Sequence, residues 1–137
     1  MAGRDMAEKI DAEGNWNRAA RLTDSAVLLR ATSGNREAFH QIMSVFLRIF
    51  PGMVVSLEQL FAAGNLPDLA QSAHLVRGCL ALVGANASAE RIARIENAAR
   101  QRKPQCHLAE FEKTMRELRS VIDEIESEFG PVPLLQR

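Results

Sequence analysis

Along most of the chain, apolar residues return every three or four positions, the period of a helix buried on one side. The pattern is clearest near the C-terminus, where Leu108, Phe111, Met115, Leu118, Ile122, Ile125 and Phe129 alternate the two spacings in a bundle-type seam. Upstream, Phe39, Ile42, Met43, Phe46, Ile49 and Phe50 mark the apolar face of another helix, with Asn35 placed to cap it. Pro51-Gly52 is expected to break or kink that helix before the pattern resumes through Val54, Leu57, Leu60 and Phe61. Gly64-Asn65 closes the segment, and Pro67 stands in the first turn of the next helix. That helix runs to about Val83 and buries Leu69, Ala73, Val76, Leu80 and Val83. Gly84-Ala85-Asn86 then makes a tight corner, and a further helix with Ile92, Ile95 and Ala99 on one side runs until Pro104. A short helix is expected near the start, from about Ser25 to Ala31, closed by Ser33-Gly34-Asn35.

Strand signals are weak: the chain has no tyrosine, few β-branched runs and no Asn-Gly or Asp-Gly hairpin turn. The elements therefore predict an all-α protein, an antiparallel four-helix bundle with an N-terminal capping helix. Residues 1–21 form a polar arm or short helix, residues 22–130 the bundle, and residues 131–137 an irregular tail. A length of 137 residues suits one domain that buries a core without disulfides or metal. A hydrophobic share of 47% against 25% charged residues excludes a disordered chain.

Lys+Arg and Asp+Glu number 17 each, a balance that argues against a protein built to coat nucleic acid or an anionic membrane. The longest unbroken small or apolar run, Gly78 to Ala85, is far short of the roughly 20 residues of a membrane span. Met1 to Asn15 is charged and lacks the apolar core of a signal peptide. The two cysteines, Cys79 and Cys106, have no framework spacing and fit a reducing cytoplasm. The sequon Asn86-Ala87-Ser88 is then without consequence.

The chemistry concentrates in Ala73-His74-Leu75-Val76-Arg77-Gly78, where His74, Arg77 and Gly78 share one helical face and Ala81 continues it. An imidazole is nucleophilic near neutral pH, a guanidinium one turn away balances an added phosphoryl group, and a glycine admits an approaching partner. Glu96, on the helix returning from the corner, falls level with His74 by a count of turns. Its carboxylate would accept from Nδ1–H and leave Nε2 free to attack. Gln71 is a further polar neighbour on the His74 helix.

Ala-His-x-x-Arg-Gly, followed by small and apolar residues to Gly84-Ala85, resembles the signature of histidine-containing phosphotransfer (HPt) domains. Leu29, Phe46, Leu57, Leu60 and Ala62-Ala63-Gly64-Asn65 before it, and Ile92, Ile95 and Glu96 after it, extend the likeness over roughly Ser25 to Lys103. The resemblance implies a phosphorelay intermediate: His74 takes a phosphoryl group from a receiver-domain aspartate and passes it to another receiver. It implies Arg77 at the phosphoryl group, Glu96 at the imidazole and Gly78 keeping the site open. The implied partners are response-regulator receiver domains and a hybrid histidine kinase. The chain itself would be a monomer without cofactor, with Mg2+ only in the partner receiver. No P-loop or kinase glycine loop is present, so the reading is a phosphohistidine carrier without its own ATP site.

There are three departures from the family pattern: Arg77 replaces the usual Lys, Val76 replaces Leu, and Cys79-Leu80 are larger than the small residues common there and would make the docking face bulkier. Exposed Leu75 and Leu82 would add an apolar docking patch.

The competing reading is a non-catalytic HPt-like module that binds and sequesters a receiver or kinase. A kinase dimerisation helix is disfavoured because His74 lacks the Glu and Asn/Thr pattern that follows such histidines. His40 and His107 have no framework and read as surface residues, and Cys106-His107 with Glu110 lacks zinc spacing. Glu90-Arg94 and Glu96-Arg100 read as solvated i, i+4 pairs. Arg91, Arg94, Arg100, Arg102 and Lys103 are a basic cluster suited to an acidic receiver surface, with no aromatics for nucleic-acid stacking.

Overall fold

In a computed structural model, residues 21–102 and 108–129 are described, and all of their regular structure is helical. The five helices are α1 (Ser25–Ala31), α2 (Arg36–Ala63), α3 (Leu66–Leu82), α4 (Asn86–Arg100) and α5 (Leu108–Phe129). The N-terminal arm up to residue 20, the stop at Pro104, the Cys106-His107 pair and the tail from 131 lie outside the described residues.

The starts of α1, α2 and α3 follow from their caps. Asp24 accepts from Ala26 N–H, Asn35 from Ala38 N–H and Asn65 from Asp68 N–H, each satisfying a donor that the first turn leaves free. The helix α2 ends at Gly64, which takes the left-handed conformation (φ 68°) while its own N–H and that of Asn65 return to Phe61 and Leu60 carbonyls. Of the break or kink expected at Pro51-Gly52, the break does not occur: α2 is one helix through both residues. The helix buries Phe46, Leu47, Phe50, Val54 and Leu57 on both sides of the proline, and this packing outweighs one missing backbone hydrogen bond.

The apolar content of α2 also exceeds what unbroken runs indicate. An 18-residue window has mean hydropathy 1.5, enough by length and composition to cross a membrane, although 28% of that window is buried within the fold. The face reads slightly differently from its sequence pattern: Ile49 is exposed at 53%, Ile42 is half-buried, and Leu47 lies inside. Similar corrections apply at the ends of the seams. Leu28 rather than Leu29 is buried in α1, Leu108 is exposed, and Phe129 is only half-buried. Terminal turns have fewer neighbours, so periodicity overstates their burial.

The four long helices meet in a closed sequence of contacts, α2 with α3, α3 with α4, α4 with α5 and α5 with α2, while α1 lies on α2. One apolar cluster fills the space between them, including Phe50, Leu57, Leu69, Val76, Leu80, Ile92, Met115 and Leu118. Near the start, Glu124 of α5 accepts from the N–H groups of Leu22 and Thr23 and from the Thr23 hydroxyl, and Arg21 pairs with Glu124 and Glu128. These contacts pin the segment before α1 against α5.

The corner between α3 and α4 is the tightest point. Gly84 (φ 71°) donates to Ala81 O, and Ala85 N–H donates to Leu80 O, a left-handed closure that satisfies the last carbonyls of α3. Asp24 N–H bonds Val83 O at 3.0 Å, which brings the start of α1 onto the corner. A Cβ at Gly84 would lie 2.6 Å from Asp24 O and 2.8 Å from Asp24 N, so the position requires glycine for conformation and for space. Gly84→Ala should lower the unfolding free energy by about 2–4 kcal/mol, read as a lower urea midpoint at unchanged slope. Gly78→Ala, where an added Cβ meets nothing within 4 Å, should instead raise stability by roughly 0.5–1 kcal/mol.

Candidate functional site

His74 sits at the middle of α3 and Glu96 in the second half of α4, and the Gly84 corner brings the two levels together. Ala73, Val76 and Leu80 turn the other side of α3 into the core, so His74 projects outward with 56% of its side chain exposed. Glu96 faces inward from α4 between Ile92, Ile95 and Ala99, and only 9% of its side chain reaches solvent.

Glu96 Oε2 lies 3.1 Å from His74 Nδ1. Arg77, one turn after His74, places Nη2 3.1 Å from the same Nδ1 and 3.4 Å from Glu96 Oε1. Arg100, one turn after Glu96, donates from Nε at 3.0 Å and from Nη2 at 2.9 Å, both to Oε2. Among the described residues Glu96 Oε1 has no hydrogen-bond partner, and Nε2 of His74 accepts none either.

Burial pushes the Glu96 carboxyl up, but the Arg100 hydrogen bonds, the Arg77 charge and the bond from His74 together hold it below its ordinary value of 4.5. Glu96 is thus an ionised carboxylate at neutral pH. Arg77, Arg94 and Arg100, with Ala93, Asn97 and Glu96, line an open cleft of about 410 Å³ beside the imidazole. Two guanidiniums in contact with one carboxylate leave the immediate surroundings of His74 cationic, which suits an arriving phosphoryl group.

The other expected site residues spread around this centre. Gly78, Leu75 (58% exposed) and Ala81 lie on the open side of α3 beside His74, and Leu82 extends that surface at 39% exposure. Gln71 is exposed and makes no side-chain hydrogen bond among the described residues, so it is not joined to His74. Leu80, expected to thicken the docking face, is fully buried, while Cys79 is half-buried and its thiol is pushed up by that burial.

The basic cluster also divides. Arg91 pairs with Glu117 of α5 at 3.3 Å, Arg100 is committed to Glu96, and Arg94 makes no ion pair with Glu90 among the described residues. Lys103 lies outside the described residues. The Glu96-Arg100 pair, which reads from its spacing as solvated helix support, is instead half inside the fold. The i, i+4 spacing gives the pair, but only tertiary packing shows that Glu96 is buried. His40 stands at the surface, edge-on to Phe39 and Phe129.

Because the folded-state carboxyl lies below its ordinary value, its contribution to stability is complete above pH 4.5 and is lost as pH falls below it. The unfolding free energy of wild type minus that of Glu96→Gln should therefore decline as pH falls below that value. Chemical denaturation at a series of acidic pH values measures it; a difference that rises as pH falls below 4.5 would contradict the charge state assigned to Glu96.

The family model of the Hpt domain matches residues 41–128, from the first third of α2 to the end of α5. Neither a curated protein nor a solved structure matches the chain.

Proposed function

Because the chain belongs to the Hpt domain family, whose members carry out histidine phosphotransfer in phosphorelay signalling with receiver domains and kinases, we propose that His74 is its phosphoacceptor. The observation that carries the reading is the carboxylate of Glu96 at 3.1 Å from Nδ1, beside an exposed ring. With its proton on Nδ1 and bonded to Glu96, the imidazole keeps its lone pair on Nε2. Nε2 attacks the phosphorus of a receiver aspartyl phosphate, the N–P bond forms, and the P–O bond breaks with its electron pair leaving on the aspartate carboxylate. The ring becomes cationic in the process, and the ionised Glu96 stabilises that charge. Arg77 leaves Nδ1 to pair with the phosphoryl oxygens. Transfer onward reverses these steps on a second receiver aspartate. Mg2+ belongs to the partner receiver in this scheme.

Gly78 supports the same reading. An exposed glycine in a helix interior costs about 1 kcal/mol relative to alanine, and no group among the described residues occupies the space beside it. The need is external: a partner's backbone approaching His74. Leu75 and Leu82 flank that approach and would supply apolar contact, with Arg94 at the rim orienting an acidic surface. The reading also takes the four long helices as an antiparallel bundle, supported by their closed contacts and short connections, and the protein as a cytoplasmic monomer serving response-regulator receivers and a hybrid kinase.

Incubation with a panel of phosphorylated receiver domains tests the proposal. Wild type should acquire acid-labile, base-stable label; His74→Ala should acquire none while keeping its helical circular dichroism. Label on His74→Ala would refute the site, whereas receiver binding without label on either protein would favour a sequestering module. Gly78→Phe should keep the fold and reduce transfer at least tenfold, because the ring would stand where the partner docks.

A further inference from the structure

The two partners of Nδ1 make opposite demands on it. A carboxylate only accepts, so Glu96 Oε2 at 3.1 Å requires a proton on Nδ1. A guanidinium only donates, so Arg77 Nη2 at 3.1 Å requires a lone pair there. A neutral imidazole has one N–H, and satisfying Arg77 moves that proton to Nε2, the atom that must attack phosphorus. The competition at Nδ1 thus decides whether the ring is a nucleophile.

Arg100 biases this competition without touching the imidazole. Both of its hydrogen bonds, 3.0 and 2.9 Å, converge on Oε2, the oxygen that faces Nδ1, and neither goes to Oε1. The clamp stops the carboxylate from rotating about its terminal torsion, which is otherwise soft. Rotation is a real alternative because Oε1 has no hydrogen-bond partner among the described residues and lies 3.4 Å from Arg77 Nη2. A released carboxylate would turn both oxygens toward Arg77, as carboxylates do with guanidinium forks. His74 would then lose its acceptor and revert to the Nε2–H form that an unconstrained histidine side chain prefers.

We propose that Arg100 is a positioning residue for phosphotransfer: by anchoring Oε2 of Glu96 it selects the His74 tautomer with hydrogen on Nδ1 and the lone pair on Nε2, against the competing donor Arg77. The proposal rests on the reading of His74 as phosphoacceptor, but its structural half concerns ring nitrogens and stands apart from transfer. Arg100 is half-exposed at the end of α4, so its replacement leaves the core intact.

The test is 15N NMR of histidine-labelled protein above the titration range of histidine, run beside the transfer assay. Wild type should show an unprotonated shift at Nε2 and a protonated one at Nδ1. Arg100→Ala should move the tautomer ratio about fivefold toward Nε2–H, the scale of one ordinary hydrogen bond, and slow label uptake by a similar factor at unchanged receiver affinity. Arg100→Lys, which keeps the charge with a single donor, should fall between the two. Ring shifts unchanged in Arg100→Ala overturn the proposal whatever happens to the rate, and so does a wild type already protonated at Nε2. Wild type that takes no label while its ring shifts respond to Arg100 would sink the phosphoacceptor reading and leave the tautomer control standing.

Discussion

A carboxylate with 9% of its side chain exposed cannot remain charged unless the fold supplies its counter-ions, and the site around His74 is organised by that requirement. Glu96 is supplied from both helices, by Arg100 from its own turn of α4 and by Arg77 from the facing side of α3, with the His74 ring as a further hydrogen-bond partner. Each cation does something different. Arg100 directs both of its hydrogen bonds to one oxygen and makes none to the imidazole, so its hydrogen bonding acts on the carboxylate. Arg77 is divided between Glu96 Oε1 and His74 Nδ1 and is committed to neither alone. A buried charge of this kind is weak support for stability, since the desolvation it suffers offsets much of what its partners return. Its retention at the base of an exposed histidine makes sense as chemistry rather than as a fastening.

The register that creates this cluster is set at some distance from it. His74 and Glu96 are brought level because α3 closes in a left-handed turn at Gly84 and α4 starts two residues later. The corner is held from outside by α1, whose capping residue Asp24 donates its N–H to Val83 O and packs directly over Gly84. The two helices pack against each other, and Ala73 on α3 and Ala89 and Ala99 on α4 are small residues among those they bury. The short first helix, outside the matched family range, therefore acts on the geometry of the site through one backbone hydrogen bond and one glycine.

Much of this was legible in the chain. Caps and stops at Asn35, Gly64-Asn65 and Gly84 follow from local backbone chemistry that tertiary structure does not override, and counting turns from Gly84 brings Glu96 opposite His74. What was not legible depends on neighbours. Pro51 leaves a helix intact when residues on both sides of it are anchored in one core, and the sequence signal of a proline carries no knowledge of that anchoring. Ile49 and Leu108 obey the apolar period yet face solvent, because period gives a face and not the presence of something to cover it. Arg100 was visible as one of an i, i+4 pair, but such a pair means little until one member is known to be buried.

The distribution of apolar surface on α3 completes the physical picture. Its inner side, through Leu69, Ala73, Val76 and Leu80, is fully committed to the core, yet its outer side is not correspondingly polar: Leu75 and Leu82 are exposed next to Gly78 and Ala81. Single exposed apolar residues are ordinary, but here they border an imidazole whose Nε2 accepts no hydrogen bond among the described residues, and a cleft walled by arginines. Burial of leucine surface favours any partner equally, whereas the arginines favour only one bearing negative charge. The two together give a face on which apolar contact discriminates little between partners and charge discriminates strongly, with the exposed His74 ring at the boundary between them.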